Sequence, residues 1–240
     1  KNIEKFILPK IKGADPLRQK TIDDLLIRLD GTREKSRLGG NAILGVSMAC
    51  ARAAAMTRDL PLWRYIRDLS GLEVKQMRQG IAYPRLYMLM TEGGLHAGNN
   101  LDFQEYLAIP KARTFRESIL IGMQIYHALG KYLSRTKGKN AVNVGEEGAY
   151  GPNFKDSTEP FTILKRVIKS LRFQKKVDFG LDAAASDVNI KDEKLIQIYR
   201  RICRSYPLIY LEDPFNEEAF LEFGVLKQIL GSKVMIAGDD

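Results

Sequence analysis

Three short apolar runs each end on an acidic residue: Val177–Asp182, Tyr206–Glu212 and Val234–Asp239. The acids are separated by 30 residues (182 to 212) and 27 residues (212 to 239). One strand, one helix and two turns take about that length. The intervening segments Asp192–Arg204 and Asn216–Leu230 carry helical patterning. In a parallel α/β barrel, consecutive strands point the same way and their carboxyl ends share one face. Asp182, Glu212 and Asp239 would then converge although they are distant in sequence. Three carboxylates forced together need a counter-cation, and an oxygen-only ligand set suits Mg²⁺. An acid after a strand also serves as a helix N-cap or opens a polar loop. Its repetition at three strand ends with matching spacing favours the metal.

The elements that must position these acids change character along the chain. The first 80 or so residues read as helical. Asp15-Pro16 is a cap-then-proline start for a helix through Ile22, Leu25, Leu26 and Leu29, which Asp30-Gly31 stops. Asn41 is expected to cap a second helix running through the alanine-rich Ala51–Ala55. In it the small residues Gly45, Ser47, Ala49 and Ala53 would admit a close neighbour. Trp63 and Tyr65 are expected to anchor packing. From about Tyr83, Arg85–Met90 and Glu105–Ile109 read as strands flanking the glycine-rich Gly93–Gly98. A long amphipathic helix at Thr114–Arg135, the stretch Ala141–Gly145, a second glycine-rich loop and a helix near Pro160–Leu171 follow. The expected division is 1–76, helical, and 77–240, barrel-like.

The chain of 240 residues, 45% hydrophobic, can bury a substantial core. No apolar run approaches the roughly 20 residues that cross a bilayer. The start Lys1–Lys5 has neither a signal-peptide core nor an initiator methionine, so it reads as cut from a longer chain, with the cytoplasm as the expected location. Cys50 and Cys203 lie in apolar helical settings, which argues against a disulfide framework or a thiolate metal site. The formal net charge is +9, with the bases scattered along solvated helix faces. Without a compact basic block or aromatic interleaving, nucleic acid is not an expected partner.

The two glycine-rich loops carry more specific information. Gly93-Gly94-Leu95-His96-Ala97-Gly98-Asn99-Asn100-Leu101-Asp102-Phe103-Gln104-Glu105 closely resembles the His-Ala-Gly…Gln-Glu segment of the enolase family. Asn143-Val144-Gly145-Glu146-Glu147-Gly148-Ala149-Tyr150-Gly151-Pro152-Asn153 resembles its N-V-G-D-E-G-G-x-A-P-N segment. Leu211-Glu212-Asp213-Pro214-Phe215 is similar to its S-I-E-D-P-F, and Gly238-Asp239-Asp240 to its G-D-D. Leu29–Thr32 and Lys35–Ser47 fit the same family's amino-terminal domain, in the right order.

The resemblance implies an α/β fold: about five of the eight strands of an enolase-type (β/α)8 barrel, preceded by the helical part of an α+β domain. It implies Mg²⁺-dependent, reversible dehydration of 2-phosphoglycerate to phosphoenolpyruvate, and a homodimer at full length. Removing a proton beside a carboxylate demands positive charge placed in advance. By the resemblance Asp182, Glu212 and Asp239 hold the metal, and Asp213 and Asp240 support them. Glu147 is the general acid, and Glu105 keeps a proton available to it by like-charge repulsion. His96 lies by the substrate, and His127 is read as structural.

The chain departs from the family pattern in places. Glu146 stands where Asp is usual, Ala149 for Gly, Gly151 for Ala, Glu92 for Asn and Leu95 for Ser. The changes at Glu146, Ala149 and Glu92 motivate the alternative of a non-catalytic, enolase-like binding protein. The resemblance puts the base lysine on the barrel strand after Asp239, so the isolated chain is expected to be inactive.

Overall fold

The computed structural model describes residues 1–71 and 84–239. The expected boundary at 76/77 and Asp240 lie outside the described residues. The chain divides into two compact units, Lys1–Ala82 and Tyr83–Asp240.

The first unit is helical. A π-helical turn at Ile3–Ile7 runs into α1 (Leu8–Ile11), followed by α2 (Gln19–Asp30), α3 (Gly40–Thr57) and α4 (Leu62–Leu69). Ile22 and Leu26, one turn apart on α2, bury against Ile7, Leu38 and Val46. Gly31 ends α2 at φ +74°, a left-handed cap that donates its N–H to the Ile27 carbonyl. The buried Asp30 carboxylate holds the next loop by accepting from the N–H of Thr32 (3.0 Å) and of Leu38 (2.7 Å).

Several local expectations are corrected here. Asp15 accepts from the Leu17 N–H in a local turn, which satisfies the proposed cap before α2 opens at Gln19. Asn41 lies inside α3, and Gly39, at φ +95°, takes the cap position. Among the described residues nothing lies within 4 Å of a Cβ built on Gly45, whereas at Ser47 of the same row α2 does come close, Gln19 Nε2 donating to the Ser47 carbonyl and hydroxyl. Tyr65 is fully buried against Ala51, Ala54 and Ala55, whereas Trp63 is 53% exposed, with the Arg67 guanidinium over its ring at 5.6 Å.

The second unit is built on one sheet of β1 (Met88–Glu92), β2 (Glu105–Pro110), β3 (Val177–Asp182), β4 (Leu208–Glu212) and β5 (Met235–Ala237), in that order. β3, β4 and β5 are parallel, joined by the crossover helices α7 (Asp192–Ser205) and α8 (Phe220–Leu230). β2 runs antiparallel to both β1 and β3. Between β2 and β3 lie α5 (Phe115–Lys137) and α6 (Glu159–Ser170). Thr114 caps α5, its hydroxyl accepting from the Glu117 N–H at 3.1 Å. α8 opens at Phe220, later than its pattern suggests, because Asn216–Ala219 forms a turn.

Apolar residues from both sides of each crossover fill one core. At its centre the fully buried Phe161 meets Tyr106 and Tyr206, with ring centroids 5.0 and 5.3 Å away, and Phe179 at 5.6 Å. β3 is buried at every position, as a strand covered on both faces must be. The rigid edge that results is the platform for the acids.

Candidate active site

Strand direction gathers the acids. β1, β3 and β4 end at the edge where the antiparallel β2 begins. Glu92 pairs with Glu105, Glu105 with Asp182, and Asp182 with Glu212. Four acids from four strands therefore form one row. Glu212 pairs with Ala237, and Asp239 follows two residues later.

The strand ends are held in unusual backbone. Ala184 (φ +41°) and Asp213 (φ +38°) occupy the left-handed region without being glycine, just beyond β3 and β4. Such strain is retained where surrounding bonds fix it, often at functional sites. Asp182 accepts from the Ala184 N–H at 3.0 Å. The buried Asp213 carboxylate accepts from the Asp239 N–H at 3.0 Å, tying the end of β5 to that of β4. The Tyr210 hydroxyl donates to Glu212 Oε2 at 2.6 Å. Tyr210 lies two residues before Glu212 on one strand face, and its ring meets Tyr87 edge-on at 4.8 Å.

Two loops complete the site. His96, in a 3₁₀ turn at Gly94–His96, places Nδ1 3.9 Å from both Glu105 Oε1 and Glu147 Oε1. That nitrogen is buried and has no hydrogen-bond partner among the described residues. The loop carrying Glu147 closes as a tight hairpin, with Val144 bridging Tyr150. Gly148, at φ +86°, makes the turn. The Tyr126 hydroxyl donates to the Gly148 carbonyl at 2.6 Å.

Electrostatics separate the two neighbouring carboxyls. Burial pushes the Glu105 carboxyl up from its ordinary 4.5 to about 8. The charges of Glu147 and Asp182, a hydrogen bond shared with Glu147, and the charge of Glu212 push it the same way. Glu105 thus holds a proton at neutral pH, while the Glu147 side chain is half exposed.

The structure brings the sequence-chosen residues together in two sets. His96, Glu105 and Glu147 form a group with ligand atoms within 4.8 Å of one another. Asp182, Glu212 and Asp239 are outside that group and are brought to one sheet edge by register. Their oxygen-only donors suit a hard divalent cation, and the charges of Asp182 and Glu212 already reach Glu105. Two residues escaped the sequence reading as contributors. Tyr210 was legible through its i,i+2 spacing to Glu212; Glu92 was legible only as an acid before two glycines that departs from the family pattern.

A sheet with parallel crossovers and a row of acids at its strand ends is the arrangement of a barrel-type α/β protein, whose functional sites lie at the carboxyl ends of the strands. Comparison with known proteins narrows the class. The family model described as "Enolase, C-terminal TIM barrel domain" matches residues 81–240, and "Enolase, N-terminal domain" matches residues 1–66. The chain belongs to the enolase family. It is 40% identical to the enolase of Methanopyrus kandleri and to that of Thermococcus gammatolerans, over its whole length and 58% and 57% of theirs. It is 37% identical to "Enolase B" of Dictyostelium discoideum, over its whole length and 58% of that protein. The chain thus spans somewhat more than half the length of these curated relatives. Family membership implies a divalent metal. No helix among the described residues is long and apolar enough to cross a membrane.

Proposed function

We propose that this protein dehydrates 2-phosphoglycerate to phosphoenolpyruvate, reversibly and with Mg²⁺. The observation that carries the reading is the pair Glu105 and Glu147, two carboxyls sharing a hydrogen bond beside the acidic strand ends, one of them protonated at neutral pH. Asp182, Glu212 and Asp239 would hold Mg²⁺, which when bound supplies positive charge for the carbanion beside the substrate carboxylate.

The remaining roles, that of the base excepted, belong to the chain's own side chains. Glu147 gives a proton to the departing hydroxyl, so that the C–O bond breaks to release water as the double bond forms. Glu105 holds the pair's proton at neutral pH and passes it across their hydrogen bond to Glu147 as Glu147 donates to the hydroxyl. His96 turns its buried Nδ1 toward both carboxyls, and its ring hydrogen-bonds the substrate beside them. The C2 proton goes to the lysine that the family resemblance places on the barrel strand after Asp239. A homodimer and a cytoplasmic setting accompany this reading.

The test is phosphoenolpyruvate formation from 2-phosphoglycerate and Mg²⁺ by the protein that carries this chain. Turnover abolished by Glu147→Gln and by Asp239→Asn supports the reading. A folded, Mg²⁺-binding protein that converts nothing moves the function to non-catalytic binding, the reading that the loop changes at Glu146 and Ala149 favour.

A further inference from the structure

We propose that Glu92 is a positioning residue that sets the place of Glu147. Glu92 is fully buried at the end of β1, and its carboxylate meets the backbone of the Glu147 loop. Oε1 accepts from the N–H of Gly145 (2.9 Å) and of Ala149 (2.8 Å), and Oε2 accepts from the N–H of Glu147 itself (3.2 Å). Three alternate amides of one hairpin thus converge on a single side chain from more than fifty residues away.

The neighbouring contacts make this lock specific. The N–H between them, on Glu146, donates to the His96 carbonyl at 3.1 Å, so the hairpin is pinned against the His96 loop as well. Glu92 is fixed in turn, its own N–H donating to the Tyr150 carbonyl (3.1 Å) and its carbonyl accepting from Asn99 Nδ2 (2.8 Å). A Cβ on Gly145 would fall 2.6 Å from Glu92 Cδ and 2.5 Å from the His96 carbonyl oxygen, so glycine there lets the carboxylate reach the amides. A carboxylate has two accepting oxygens, whereas a side-chain amide has one and turns N–H donors toward the rest. Three converging donors on two oxygens need the acid. Glu92 and the loop it holds are matched to each other, which accounts for an acid where the family pattern has asparagine.

The inference rests on the reading of Glu147 as the proton donor, and its test separates the two. Glu92→Gln is examined by amide hydrogen exchange and by steady-state kinetics. Exchange at Gly145, Glu147 and Ala149 is expected to quicken by about tenfold or more, with Ile125 and Leu129 of α5 unchanged. Displacing the acid by about 1 Å lowers kcat by about a hundredfold, with KM held within about twofold. Unchanged protection at the three amides overturns the proposal, and so does a kcat that holds while they loosen. If the wild type forms no phosphoenolpyruvate, the proposed function fails, and the exchange measurement alone decides whether Glu92 holds the loop. Should Glu92→Gln not fold, Gly145→Ala attacks the same contact from the loop side. It is expected to give the same two signatures, and wild-type exchange and kcat in it overturn the proposal.

Discussion

Replacing Glu105 by glutamine should remove the loss of stability that Glu105 imposes on the metal-free chain as pH rises. In the folded protein the Glu105 carboxyl titrates at about 8, against an ordinary value of 4.5. The fold therefore holds a proton that the unfolded chain releases between those values. Its contribution to stability is intact below about pH 4.5, declines as pH rises, and is fully lost above about pH 8. That gap corresponds to about 5 kcal/mol. Sharing of the proton with Glu147 reduces what one substitution recovers to about 2–4 kcal/mol. Glu105→Gln removes the ionisation and keeps a group that can hydrogen-bond. Urea denaturation of wild type and variant at pH 5, 6, 7 and 8 measures the difference. The variant should match or fall below the wild type at pH 5 and exceed it at pH 8, so that the two profiles cross. Parallel profiles would refute the assignment of a raised, proton-holding carboxyl to Glu105.

Other perturbations reach separate parts of the account. Tyr210→Phe removes the hydroxyl that donates to Glu212 and should weaken Mg²⁺ binding by about tenfold in calorimetry, with little change in thermal midpoint. Phe161→Ala empties the centre of the aromatic core and should lower unfolding free energy by about 3–5 kcal/mol, read from the denaturant midpoint. Asp213→Ala leaves the Asp239 N–H unpaired and should also reduce Mg²⁺ affinity, here by loosening the end of β5. An affinity equal to wild type in either metal-site variant removes that residue from the support of the strand-end acids.

The parts of this fold legible in sequence are those that depend on local pattern. β3, β4 and their acids stand out because an apolar run that stops at a charge marks a buried strand emerging at a sheet edge, and α7 between them is written in amphipathic spacing. Strand direction is not written that way: nothing in Glu105–Pro110 reveals that β2 runs against both neighbours, since the same alternation serves either orientation. That reversal nonetheless puts Glu105, the first residue of its strand, level with the last residue of β3. Helix starts were displaced where a side chain satisfied its own turn, as at Asp15, or where a glycine took the cap, as at Gly39. Glu92 was visible as a departure from a pattern, but its role depends on three amides that the fold returns to it from the Glu147 loop. No local rule reads such a contact.

The central claim, that Glu147 supplies the proton to the leaving hydroxyl, is tested most directly by separating the two halves of the dehydration. With 2-phosphoglycerate and Mg²⁺ in heavy water, exchange of the C2 hydrogen and formation of phosphoenolpyruvate can be followed side by side. Glu147→Gln should still exchange the C2 hydrogen while forming no phosphoenolpyruvate. Equal loss of both steps, or phosphoenolpyruvate formation at the wild-type rate, would contradict the assignment.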